Sequence, residues 1–212
     1  MRKIITNDNS ETFFNDEFNE TYHSNTGAVE ESYEKFAKPC LEFLKDKKEI
    51  NVLDFCFGLG YNSAALIELL DYNINIICID NDDKIFGLIK EVNPKMKNYD
   101  TIKKLNKNNL TIQENNIKIK LIIGDALKVI DELPERYFDV VLFDPFSPKV
   151  CPELWQERVF KKIYDLMKPN SVLTTYSCAR KVRDNLKIAG FLIKDGPKVK
   201  RRGPSTIASK IQ

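Results

Sequence analysis

At 212 residues, with 42% hydrophobic and 30% charged side chains, the sequence suits one well-cored globular domain and lacks the length for a second catalytic one. Its net charge of +2 argues against a large polyanion-binding surface, yet residues 1–50 carry 7 basic and 11 acidic side chains whereas residues 194–212 carry 6 and 1. Five dispersed cysteines, a single histidine (His23) and no apolar run of the roughly 20 residues that cross a bilayer exclude a disulfide framework, a zinc site and a membrane anchor. The resulting expectation is a cytoplasmic protein with no metal and no membrane partner.

The acidic first 26 residues carry Phe13, Phe14, Phe18 and Tyr22, which predicts an N-terminal extension, a short strand pair or similar, packed on a main domain of residues 27–212. From Gly27 the spacing of Val29, Tyr33, Phe36, Ala37, Cys40, Leu41 and Leu44 predicts a helix over 28–46. Strands then follow at Asn51–Phe55, Ile74–Ile79, Ile119–Ile123, Phe138–Phe143 and Ser171–Tyr176, alternating with helices near 62–70, 82–91, 126–132, 153–167 and 179–189. Residues 93–116 are polar and rich in Asn and Lys, and read as a surface excursion. Continuous apolar strands such as Val140–Phe143 are buried on both faces, the mark of a parallel sheet covered by helices. Phe191–Ile193, a Gly196-Pro197 turn and Thr206–Ile211 add an antiparallel pair at the sheet edge. The fold class is therefore α/β, a Rossmann-like methyltransferase arrangement rather than a dehydrogenase one.

In open α/β sheets ligands bind beyond the carboxyl ends of the strands. Gly58 and Gly60 follow the first of these strands, where missing Cβ atoms permit positive φ and close approach of a cofactor. Asp80, twenty residues after Gly60, closes the next strand and suits the hydroxyls of a ribose. These features alone fit S-adenosylmethionine or a dinucleotide. Asp54 shifts the balance, because a carboxylate there can serve the ammonium group of a sulfonium cofactor but repels a pyrophosphate. Asp125 with Ala126 stands where an adenine amino group could be read, although Asp125 also suits a helix cap.

Asp144 ends the fourth strand and leads into Pro145-Phe146, resembling the Asp/Asn-Pro-Pro-aromatic motif of amine methyltransferases. Methyl transfer needs a nitrogen lone pair, yet an alkylamine is mostly protonated at neutral pH. A carboxylate can hold the ammonium, align it and take its proton. The alternative is a turn residue that caps the following helix.

Asp144-Pro145-Phe146-Ser147-Pro148, Pro152-Glu153-Leu154-Trp155, Thr175-Tyr176-Ser177-Cys178-Ala179 and Ala189-Gly190-Phe191, with Tyr22-His23-Ser24, Glu30-Glu31-Ser32 and Phe57-Gly58-Leu59-Gly60 upstream, are together similar to the MnmC-like methyltransferase family. The resemblance implies S-adenosyl-L-methionine as methyl donor and the aminomethyl group of a tRNA wobble uridine as acceptor. It implies Asp144 at the acceptor amine, with Gly58, Asp80 and Asp125 around the cofactor and Glu30 and Tyr22 over its methionine end. Cys56, Leu59 and Pro145 depart from the family's usual small residue, Thr and Gly. Many family members carry a fused oxidase that prepares the amine; this sequence has no room for one, so separate enzymes would supply the precursor.

Lys200, Arg201 and Arg202 in a basic run could contact tRNA phosphates or form a solvated edge. Phe146, Tyr176 or Trp155 could stack on a flipped base, Trp155 equally suiting a helix core. Two rival functions stay open. One is methyl or spermidine-synthase-like aminopropyl transfer to a small amine or polyamine, and the other is an RNA-binding fold without cofactor.

Overall fold

A computed structural model describes residues 1–45, 47–200 and 203–211. Asp46, the last residue of the expected first helix, and Arg201 and Arg202 lie outside the described residues.

The main sheet has eight strands in the order β10-β11-β9-β8-β4-β5-β7-β6. Its centre is parallel: β4 (Glu49–Phe55) lies between β5 (Asn73–Asp80) and β8 (Phe138–Phe143), flanked by β7 (Ile117–Ile123) and β9 (Met167–Thr175). Every residue of β8 and all but the first of β4 are buried, which is why neither alternates apolar with polar. The edges are antiparallel, with β11 (Thr206–Lys210) between β9 and β10 (Leu192–Asp195) and β6 (Thr111–Glu114) on β7. One apolar cluster lies on each side of the sheet. The mainly parallel sheet with its antiparallel C-terminal pair is the expected fold class.

Helices α2 (Tyr61–Leu69), α3 (Ile85–Glu91), α5 (Ala126–Glu132), α6 (Glu157–Leu166) and α7 (Arg180–Ile188) fall within a few residues of expectation. Two segments differ. Residues 93–116 are not a mere excursion: α4 (Tyr99–Lys103) and β6 bury Tyr99, Ile102, Leu105 and Ile112, and the Tyr99 hydroxyl donates to the Leu59 carbonyl at 2.7 Å. The polar Asn and Lys residues between these anchors hide their spacing. The helix expected over 28–46 begins as α1 (Ala28–Glu31), widens into π-type turns over Ser32–Ala37 and tightens into 3-10 turns over Lys38–Phe43. Pro39 lies within that last part and has no N–H to sustain an α-helical ladder.

The N-terminal strands β1 (Arg2–Ile5), β2 (Glu11–Asn15) and β3 (Glu20–Thr21) form a separate antiparallel sheet. Its turn caps α1 from a distance: Asp8 Oδ2 accepts from the Glu30 amide at 2.9 Å, and Ser10 Oγ accepts from the Ala28 amide at 3.1 Å. Burial works against the Asp8 carboxylate, but hydrogen bonds from Ser10, Thr6 and the Glu30 amide outweigh it and lower its pKa to about 2. This docking swings the β2–β3 hairpin over the carboxyl ends of the central strands.

Candidate active site

A cavity of about 800 Å³ opens beyond the carboxyl ends of β4, β5, β7 and β8 and is roofed by the β2–β3 hairpin, a volume ordinary for a small-molecule site. Carboxylates from Glu20, Glu31, Asp80, Asp82, Asp125 and Asp144 line it, and Arg2 is the only Lys or Arg among the described lining residues. Such a lining repels a pyrophosphate and attracts cations.

The side of the cavity beside the β4 loop rests on backbone. After β4 the chain turns through Cys56 (φ 66°) and Gly58 (φ 55°), and the Gly58 amide donates to Asp80 Oδ2 at 2.8 Å. Asp80 Oδ1 accepts from the Asp82 amide at 2.9 Å. Burial raises the Asp80 pKa to about 6, with these amide bonds opposing. A Cβ on Gly58 would stand 3.1 Å from Tyr22, so Tyr22 lies across the loop as a lid. Its phenol is pushed up by burial and by the charges of Asp80 and Asp82, which keeps it a hydrogen-bond donor. Asp125 caps α5 through the Leu127 amide at 2.9 Å and lines the cavity together with Ala126.

The side of the cavity beside Asp144 is made of side chains from distant segments. The Asp144 amide donates to the Phe55 carbonyl at 3.1 Å, fixing the residue at the β4–β8 boundary, and Asp144 Oδ2 accepts from Asn62 Nδ2 at 2.7 Å. Burial and then the charge of Glu31 push the Asp144 carboxyl well above the usual range, while Asn62 and Lys35 act the other way. Phe146 stacks on Phe18 of the hairpin with ring centres 4.8 Å apart, and Tyr22 tilts against it at 5.4 Å. Glu20 holds the same loop through the Ser147 amide at 2.8 Å and its hydroxyl. Tyr176 donates to the Pro145 carbonyl at 3.0 Å, and Pro145, Phe146 and Tyr176 all line the cavity. Trp155 is core: it is 3% exposed and donates to the Phe146 carbonyl at 2.8 Å.

Several expected residues fall elsewhere. Asp54 is fully buried beneath the floor, takes the Ser63 hydroxyl at 2.5 Å and does not line the cavity. Burial raises its pKa to about 7, with Ser63 opposing and Asp80 adding to the rise. Gly60 is also below the lining, where a Cβ would come within 2.6 Å of Phe57 and 2.8 Å of Ile102, so its role is to let the loop pack. Glu31, not Glu30, faces the cavity. One residue along a helix rotates the side chain by roughly 100°, and Glu30 instead pairs with exposed Lys200 at 2.5 Å, away from the lining. Glu20, Asn62 and Lys35 escaped sequence reading. Glu31 stood in the motif beside Glu30, and Phe18 was visible only as an N-terminal aromatic.

The residues present fit S-adenosylmethionine: Asp80 can accept ribose hydroxyls, the Gly58 turn allows close approach, and an acidic lining tolerates a sulfonium. Among the described residues no group of three His, Cys, Asp or Glu could hold a metal ion, and no helix is long and apolar enough to cross a membrane.

Residues 87–211 match the sequence pattern of a family described as S-adenosyl-L-methionine-dependent methyltransferase. An uncharacterized protein of Methanocaldococcus jannaschii is 33% identical over 98% of this chain and 59% of its own length. The tRNA 5-methylaminomethyl-2-thiouridine biosynthesis bifunctional protein MnmC of Campylobacter hominis is 30% identical over 87% of this chain and 29% of its own. The chain thus spans well under two thirds of these relatives. The crystal structure of MnmC2 from Aquifex aeolicus superposes with a TM-score of 0.87 at 30% identity, covering 98% of this chain and 70% of that one.

Proposed function

The chain belongs to the S-adenosyl-L-methionine-dependent methyltransferases as an MnmC-like methyltransferase domain, and from that premise we propose that its acceptor is the aminomethyl group of a tRNA wobble uridine. The observation that carries this reading is Asp144, set at the end of β8 on the acceptor side of an acidic cavity, between Asn62 and the Phe146–Phe18 stack. The relatives' printed role in 5-methylaminomethyl-2-thiouridine biosynthesis supports an RNA amine as the acceptor.

In this reading residues 27–212 are the catalytic domain and residues 1–26 its roof. Asp80 takes the ribose hydroxyls, Asp125 and Ala126 flank the adenine, and Tyr22 closes over the donor. S-adenosylmethionine supplies an electrophilic methyl group. Asp144 holds the ammonium, aligns it and takes its proton, while Pro145 fixes the loop and Phe146 and Tyr176 form the wall beside the base. Lys200 reaches RNA phosphates only by leaving Glu30. The aminomethyl uridine is then the precursor that must be present on the tRNA, and the work is done in the cytosol.

An acidic cavity also suits a free polyamine, so the test offers both. Purified protein with methyl-labelled donor is given tRNA bearing 5-aminomethyl wobble uridine, or spermidine. Label in the wobble nucleoside supports the reading; label in spermidine alone overturns it.

A further inference from the structure

Glu31, which lines the cavity together with Asp144, is one half of a buried ion pair. Lys35 Nζ stands 2.6 Å from Glu31 Oε1, one helical turn away, and the two side chains are 1% and 8% exposed. Glu31 Oε2 accepts from the Ser24 amide at 3.1 Å, so the carboxylate is fixed at both ends, and it lines the same cavity as Asp144. A buried pair of this kind carries a large desolvation penalty and is weak evidence of a stabilising role.

We propose that Glu31, fixed by Lys35, is a positioning residue that keeps Asp144 able to take the proton of the acceptor amine. The inference rests on the amine-methylation reading above. One N–H bond of the bound ammonium breaks and its proton goes to Asp144 Oδ. The freed nitrogen lone pair then forms a bond to the methyl carbon, and the carbon–sulfur pair leaves with sulfur. An ordinary aspartate is a poor acceptor for an ammonium proton. The negative charge of Glu31 makes it a better one, and Lys35 limits the excess. The other groups facing Asp144 are Asp54 from β4, Cys56 from the glycine loop and the neutral Asn62 from α2. Glu31 and Lys35 bring opposite charges to the site from a single element.

The test reads Asp144 directly. Its carboxyl carbon, labelled with ¹³C and assigned with Asp144→Asn, is titrated in protein saturated with S-adenosylhomocysteine. In the parent protein Asp144 titrates above the ordinary aspartate range. Glu31→Gln lowers its midpoint and Lys35→Met raises it, each by on the order of one pH unit. A pair that merely stapled Ser24 to the helix would not produce shifts of opposite sign. An ordinary aspartate midpoint in the parent, or an unmoved midpoint in Glu31→Gln, overturns the inference, and the first result needs no variant to fold. Failure to methylate tRNA, with these shifts present, counts against the acceptor reading alone.

Discussion

The two sides of the cavity are built from different materials. The cofactor side is a run of backbone: the Gly58 turn, the Asp80 strand end and the Asp125 cap, each next to the strand that positions it. The acceptor side joins side chains far apart in sequence, with Glu20 of the hairpin holding Ser147 across 127 positions and Asn62 holding Asp144 across 82. A backbone cradle specifies one ligand and changes little between proteins that share it. A wall of side chains brought from a separate N-terminal sheet can be re-cut for a new acceptor. Changes on the two sides should therefore separate donor binding from transfer.

The largest separation is expected at Asp144. Asp144→Asn should lower single-turnover methyl transfer by roughly 10²–10⁴-fold, the range for a lost general base, while calorimetry finds donor affinity within about twofold of the parent. Equal losses in both would merge the two sides.

Asp80 should behave in the opposite way. Its pKa is raised to about 6, so the ionised form, which in the proposed reading accepts the ribose hydroxyls, is lost as pH falls below that value. Donor Kd should be flat above about pH 6 and rise roughly tenfold per unit below it, as single-proton linkage requires. Asp80→Asn should bind weakly at all pH values and lose that slope.

The contrast between the two sides also explains what could be read in advance. The order of strands and helices, the antiparallel ending, and Gly58, Asp80 and Asp125 were legible because apolar runs and strand ends are local signals. Asp144 was legible for the same reason, with proline and an aromatic beside it. Asn62, Glu20 and Lys35 were not, since each matters only through a partner on another segment or, for Lys35, a burial that its charge disguises. Asp54 misled because a strand-end carboxylate can point below the sheet's mouth as easily as into it. The α4–β6 segment was missed because polar residues separate its buried anchors.

Phe18 sharpens the comparison further, since it touches the acceptor wall without touching the donor cradle. Phe18→Ala removes an aromatic stack of about 0.5–1.5 kcal/mol and should raise KM for the RNA acceptor a few-fold, with donor Kd unchanged. The smallest effect on binding is expected at Asp54, which does not line the cavity. Its pKa is raised to about 7, so its proton is held more tightly in the folded chain, and its contribution to stability falls as pH rises toward that value. Asp54→Asn removes this slope. The Tm of the variant relative to the parent should climb between about pH 4 and 7 and level off above, as scanning calorimetry would show, and donor affinity should stay within about twofold.

The central claim concerns the acceptor, and the most direct measurement is mass spectrometry of wobble nucleosides. Hypomodified tRNA carrying 5-aminomethyl uridine is incubated with donor and either the parent protein or Asp144→Asn. The account predicts one added methyl group on the wobble nucleoside with the parent and none with the variant. An unchanged nucleoside with the parent, while spermidine in the same reaction becomes methylated, would contradict it.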